Sequence, residues 1–433
     1  MRVIVAGWLL LFGCLQISYA DSALLASLDK QLMTIPDRKA LLQTALQNLE
    51  GRLSEYPADY EASLLKSLVQ FKAGNFNAAM EEINRLTQRA PKFHLAHLIR
   101  GDMLMARIDA VDQIGRSALL AAIDDKQQQQ LQQLRHEANV RLQAHIEKQN
   151  GSKIPRQLLL LGENIKNALV VDKRHNRLYV YERTGDTTPP KLVRDFYVST
   201  GKLQGNKNIK GDLRTPEGVY FVTSHIPQEK LPDKYGVGAF PVNYPNELDR
   251  KLGKTGYGIW LHGTDSASYS RPPRDSEGCV VMTNTDLSAL QSEIKPGVTP
   301  VVITEEIDWL DQGQWRAEQL AVIDAINNWR TDWESMDVER YLSHYDESFW
   351  SKSHNLQTWK ARKRNIIKYK TYQEVDIKKL SLFSYPGLND SHQEMIVARF
   401  QQDYRSNNYS GDMQKRIYLT KRDDRWKIIY EGR

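Results

Sequence analysis

The chain has 433 residues, 41% hydrophobic and 26% charged, with 59 Lys and Arg set against 53 Asp and Glu. That length exceeds one ordinary core and predicts two to four domains of globular composition. The net charge of +6 suits an anionic wall or membrane surface and is too weak to indicate nucleic acid as a partner.

Residues 1–20 read as an export signal. Arg2 supplies the positive start, and Val3 to Leu15 is an apolar run too short to cross a bilayer. Ser18-Tyr19-Ala20 then places small residues where a signal peptidase cuts, so cleavage after Ala20 and a periplasmic mature protein are expected. Leu11-Phe12-Gly13-Cys14 is a rival signal: it is similar to a lipoprotein box, although Phe12 is bulky for that motif, and it would place a lipid anchor at Cys14. No later stretch is long and apolar enough for a membrane helix. Cleavage leaves Cys279 as the mature chain's lone thiol, which can form no internal disulfide. Such a cysteine is either a buried bystander or a reactive group.

Residues 21–150 are predicted to be helical. Leu24-Leu25-Leu28-Leu32 and Leu41-Leu42-Leu46-Leu49 recur at helical spacing. Gly74-Asn75-Phe76-Asn77-Ala78-Ala79, with Pro91 beyond, resembles the turn and second helix of a tetratricopeptide unit. The resemblance implies a protein-binding helical hairpin, while a packing layer is the plainer reading. The Gln127 to Gln130 run reads as the solvated face of a long helix.

Lys148 to Pro155 is a polar linker, after which the period changes from helical to alternating. Ala168 to Val171, Arg177 to Tyr181, Phe196 to Ser199, Val219 to Val222, Phe240 to Tyr244 and Tyr257 to Leu261 are expected strands of a β-rich domain over residues 156–305. One helix is expected from Thr285 to Ile294, capped by the Thr283 region. Residues 314–433 give helices first (Leu320 to Trp329, Val338 to Tyr345, Trp359 to Tyr369) and then strands, the order of a separate α+β domain. Lys360, Arg362, Lys363, Arg364, Lys368 and Lys370 read as a solvated basic face. The fold class is therefore multidomain α+β.

The chemistry concentrates between Tyr257 and Asn284. His262 closes an apolar strand-like run, and Cys279 follows a glycine. A thiol attacks as thiolate and needs a base or a positive neighbour, and His262 is the nearest candidate. One cysteine and scattered histidines (His94, His97, His225, His262) lack ligand spacing, so no metal and no cofactor are expected.

Thr215-Pro216-Glu217-Gly218, His262-Gly263-Thr264 and Ser276-Glu277-Gly278-Cys279-Val280 occur in the order and spacing of the YkuD-type L,D-transpeptidase catalytic domain, which the chain resembles from Asn167 to Glu305. The resemblance implies a cysteine acyl-enzyme acting on peptidoglycan stem peptides. Cys279 would be the nucleophile and His262 its base, oriented by the Gly263 carbonyl. Backbone N–H groups around Gly278 and Cys279 would hold the oxyanion, with Ser276 and Thr264 in support. Glu277 and Val281 depart from the histidine and arginine common in the family at those positions. They resemble instead a branch with cell-shape L,D-carboxypeptidases and a hydrolase that releases wall-linked lipoprotein. The C-terminal region, with Trp329, Asp337, Tyr341 and Trp359, is similar to a nuclear-transport-factor-like cone. It is expected to be a binding or dimerising module, so the helical and C-terminal regions are where a second copy or a protein partner would dock. A decayed, non-catalytic wall-binding scaffold and a lipoprotein-anchored assembly factor are the rival functions.

Overall fold

A computed structural model describes residues 38–106, 124–147, 153–387 and 394–432. The expected export signal, the Cys14 lipid-anchor motif and the Leu24 to Leu32 helix lie outside the described residues. Among the described residues, no helix is long and apolar enough to cross a membrane. The chain divides into two units. One runs to Glu147 and adds Asp265–Pro273; the other holds Lys148–Thr264 and Arg274–Arg433.

The first unit is built from helices Arg38–Glu55, Tyr60–Lys72, Phe76–Arg89, His94–Met105 and Asp125–Glu147. Asp59 starts the second by accepting the Ala62 N–H at 2.9 Å. Gly74, at φ +81°, closes it in the left-handed region that side chains avoid. The turn and helix read as tetratricopeptide-like are therefore present as a turn and a helix. Leu64, Ile83, Leu86, Phe93, Ile99 and Met103 form one core. Arg141 is buried beside it, paired with Glu137 at 2.7 Å and Glu61 at 2.8 Å, so no charge there is left bare. Gln127 to Gln130 are exposed.

In the second unit a five-stranded sheet has the order Lys191–Tyr197, Arg177–Glu182, Asn167–Asp172, Pro300–Thr304, Gly218–Phe221. Asn167–Asp172 is buried at every position because both faces are covered. The two-residue period divides its side chains. Leu169 and Val171 join Leu178, Val180, Tyr220, Val301 and Ile303 in one core, which extends to Leu261 and Val280. Ala168 and Val170 join Val219, Phe221 and Val302 in another, completed by Phe383, Val397, Tyr418 and Tyr430. A second sheet carries Val280–Val281, Trp260–His262, Gly238–Pro241 and Ile226–Pro227, in that order. The strand expected from Tyr257 to Leu261 is thus shorter and later. The expected helix begins at Asn284, with Thr283 Oγ1 accepting the Asp286 N–H at 3.0 Å, and ends in a 3-10 turn over Gln291–Glu293.

The C-terminal α+β region opens on helix Gln312–Glu334, which Asp311 and Gln314 cap reciprocally. A curved sheet orders Tyr345–Trp350, Arg425–Gly432, Tyr409–Arg422, Met395–Ser406 and Gln373–Ser384. Trp329, Tyr341, Tyr345 and Phe400 fill its interior. Three expectations change here. The helix read as continuing to Tyr345 stops at Leu342, and Tyr345–Trp350 is a strand. Lys363 is also not part of a solvated face: it is buried, with its ammonium 4.5–5.2 Å from the ring centroids of Trp359, Trp333 and Tyr341. Nor does this region stand apart, since its sheet shares a core with the β-rich domain.

Candidate active site

Strands Trp260–His262 and Val280–Val281 run parallel, with Val280 opposite Leu261 and Val281 opposite His262. Leu261 and Val280 point into the core, so His262 and Val281 point to the other face. Cys279 immediately precedes the second strand, two positions before the residue opposite His262. The register therefore directs thiol and imidazole to the same side.

His262 is 4% exposed, and its Nδ1 lies 2.6 Å from the Gly263 carbonyl oxygen. A carbonyl only accepts, so Nδ1 carries the proton and the neutral ring keeps its lone pair on Nε2. The Tyr235 ring meets the imidazole edge-on at 5.0 Å, and the Gly263 N–H donates to the Tyr235 carbonyl at 3.0 Å.

The backbone beside His262 is fixed by Asn284. Its Oδ1 accepts the N–H groups of Thr264 and Val237, both at 3.2 Å, and its Nδ2 donates to the Thr264 carbonyl at 2.8 Å. A Cβ on Gly263 would collide with Asn284 Oδ1, which explains a glycine beside the histidine. Thr264 is fully buried and works through its backbone.

Cys279 is a half-buried thiol in no disulfide, with Sγ 3.4 Å from the Gly258 carbonyl oxygen. Ser276 braces it: Oγ donates to the Cys279 carbonyl at 2.6 Å and accepts the Gly278 N–H at 3.1 Å. That second bond occupies the N–H read from sequence as an oxyanion donor, so Gly278 supplies space instead. Its φ is +129°, and a Cβ there would stand 2.7 Å from the Arg214 carbonyl oxygen. Ser199 and Val281 exchange backbone bonds of 2.8 and 2.9 Å, which ties the strand after Cys279 to the first sheet's margin. Glu277, two residues before Cys279, is exposed, whereas Val281 is buried.

The Thr215 to Gly218 motif lies behind the site. Thr215 Oγ1 accepts the Gly201 N–H at 2.9 Å, and Glu217 is buried in an ion pair with Lys173 at 2.8 Å. Its role is architectural.

Residues 166–303 match the L,D-transpeptidase catalytic domain, and residues 321–432 match the Cds6 C-terminal NTF2-like domain. The structure of Bd1075 from Bdellovibrio bacteriovorus is 30% identical, with a TM-score of 0.57, over 65% of this chain and 98% of that one. The chain belongs to the L,D-transpeptidase family. The helical cell shape determining protein Pgp2 from Campylobacter jejuni is similar to this family member at 25% identity and a TM-score of 0.55, over 66% of this chain and 97% of that one. No curated protein matches the chain. The expected fold class holds: a helical N-terminal region, a β-rich L,D-transpeptidase domain and an NTF2-like α+β domain.

Sequence reasoning missed Asn284 and Tyr235. Asn284 sits at the first turn of a helix, where asparagine is ordinary, and its bonds are made across 20 and 47 residues. Tyr235 lies in a short 3-10 turn with no periodic signal.

Proposed function

We propose that this L,D-transpeptidase family member is an exported, periplasmic cysteine enzyme that remodels peptidoglycan stem peptides and thereby contributes to cell shape. The observation that supports it most is the strand register that directs a half-buried thiol and an imidazole whose Nδ1 is tied to Gly263 to one face of two paired strands. The similarity to a helical cell shape determining protein supports the physiological part of the reading.

The chemistry follows from the tautomer. Nε2 of His262 takes the Cys279 proton, and the thiolate attacks the carbonyl carbon at the L-centre of a stem-peptide bond. The C–N bond breaks, the imidazolium returns its proton to the departing amine, and a Cys279 thioester remains. Water then attacks the thioester and yields a trimmed stem peptide, or an amine attacks and yields a cross-link. In each case His262 takes the incoming proton and the thiol is regenerated.

Purified mature protein incubated with tetrapeptide muropeptides and with lipoprotein-linked sacculi tests the reading. Tripeptide release indicates a carboxypeptidase, 3–3 dimers a transpeptidase, and freed lipoprotein an anchoring-bond hydrolase. Cys279→Ala is expected to lose roughly 1000-fold or more of whichever activity is found. Unchanged turnover in that variant would overturn the mechanism.

A further inference from the structure

Side chains of strand Trp260–His262 alternate between faces, so with Leu261 in the core Trp260 shares the other face with His262. The parallel register sets Val280 opposite Leu261 and Val281 opposite His262. One step back along it brings Cys279 beside Trp260, and the 3.4 Å contact of Sγ with the Gly258 carbonyl agrees with that placement. Thiol, imidazole and indole therefore share one patch, with His262 about 7 Å further along its strand than Trp260.

The opposite flank is closed. Gly238–Pro241 pairs with the other edge of Trp260–His262. Tyr235, just before it, lays its ring 4.9 Å from the indole and 5.0 Å from the imidazole. Tyr235 thus backs both rings from the side away from Cys279. The indole is nonetheless only half-buried, and its N–H makes no hydrogen bond among the described residues. A ring held from behind and open in front offers a flat apolar face and an unspent donor.

The acyl-transfer step fixes which part of a peptide meets that face. Cys279 Sγ bonds to the carbonyl carbon, and the departing nitrogen must reach His262 Nε2 to collect its proton. The nitrogen therefore lies toward His262. The Cα and side chain of the acyl residue lie on the other side of the carbonyl carbon, toward Trp260. We infer that Trp260 is a specificity-determining residue: its indole packs along the side chain of the L-centre residue and favours a long aliphatic chain, such as that of lysine, over a methyl group. This rests on the acyl-enzyme reading, which sets the direction of the peptide. Methylenes withdrawn from water against the ring are the source of the preference, and Tyr235 is a positioning residue that holds the indole.

Two synthetic tetrapeptides that differ only at the L-centre residue, lysine or alanine, test this on the full-length protein. Binding of each to Cys279→Ala is measured by calorimetry, with and without Trp260→Ala. Turnover of each is measured for the parental enzyme, Trp260→Ala and Trp260→Phe. The Cys279→Ala protein is expected to bind the lysine peptide about tenfold more tightly than the alanine peptide, and Trp260→Ala to shrink that ratio to about twofold or less. In turnover, Trp260→Ala is expected to lower kcat/KM about tenfold for the lysine peptide and about twofold for the alanine peptide, while Trp260→Phe keeps most of the preference. Should Trp260→Ala fail to fold, Trp260→Thr, which suits a strand, takes its place. A folded variant that keeps the parental ratio, or loses both peptides in equal proportion, would overturn the inference, as would a Cys279→Ala protein that does not discriminate between them. Preferential binding that depends on Trp260, with no turnover by the parental enzyme, would leave the indole contact standing and sink the acyl-enzyme reading; turnover with an unchanged ratio in Trp260→Ala would do the reverse.

Discussion

The catalytic site and the interior of the C-terminal cone both keep polar groups away from bulk water, by different means. At the catalytic site the holders are backbone groups and short side chains: Ser276, Asn284, Gly263 and Gly278. In the cone the holders are rings and countercharges. Trp333, Tyr341 and Trp359 surround Lys363, Lys415 pairs with Glu431, and the Tyr345 hydroxyl donates to Glu431 at 2.6 Å. The first arrangement needs a glycine at φ +129° and leaves the thiol half open. The second encloses Lys363 among rings and pairs Lys415 with Glu431, two different ways of offsetting the cost of buried charge. The contrast teaches that buried polarity is not itself a mark of reactivity. What sets the proposed pair apart is a fixed His262 tautomer on the same face as a thiol that solvent can still reach.

The comparison breaks most sharply at Gly278. Gly278→Ala is expected to cost about 100-fold in turnover and about 1–3 kcal/mol in stability, because φ +129° and the Arg214 carbonyl both oppose a Cβ. Steady-state kinetics with a thermal melt check it; parental values would show that the backbone relaxes without harm. Next comes Asn284→Ala. Three backbone groups around the histidine lose their partner, so about 1–3 kcal/mol of stability and about tenfold in kcat are expected to go, with KM little changed. A change in KM alone would place Asn284 in substrate binding instead.

The smallest effect on catalysis belongs to the cone. Burial pushes the Lys363 ammonium down from 10.5 to about 8, with Glu431 opposing the shift and Lys415 and Arg362 adding to it. Between pH 8 and 10.5 the unfolded chain therefore binds more protons at this residue than the folded chain, and its contribution to stability rises with pH across that window. Below pH 8 the burial cost stands in full. Lys363→Met is thus expected to leave turnover unchanged and to stabilise the protein at pH 7 by up to about 3 kcal/mol, a gain that fades toward pH 10.5. Chemical denaturation at pH 7 and pH 10 reads the difference. A loss of stability at both pH values would show that the ring contacts outweigh the desolvation.

Much of this was legible in the sequence, for local reasons. Gly-Cys, His-Gly and the brace serine are short-range features, so the residues themselves singled out Cys279 and His262, and the family resemblance added Gly263, Gly278 and Ser276. The helices and strands of the cone appeared as changes of period. What escaped was tertiary. Asn284 reads as a helix start and acts as a clamp. The strand Tyr345–Trp350 carries Asp and Glu at its middle and continues an apparent helix. Lys363 was lost in a basic run, although a signal was there. It lies four residues after Trp359 and four before Ile367, on the stripe that a helix turns inward.

The central sheet has a further consequence. Because alternate residues of Asn167–Asp172 serve two different cores, that strand is a party wall between enzyme and cone. A fragment cut near Glu305 would present Ala168, Val170, Val219, Phe221 and Val302 to water as a continuous greasy plane. The β-rich domain and the cone are therefore expected to melt as one cooperative piece, and anything put in the cone's place has to cover the same plane.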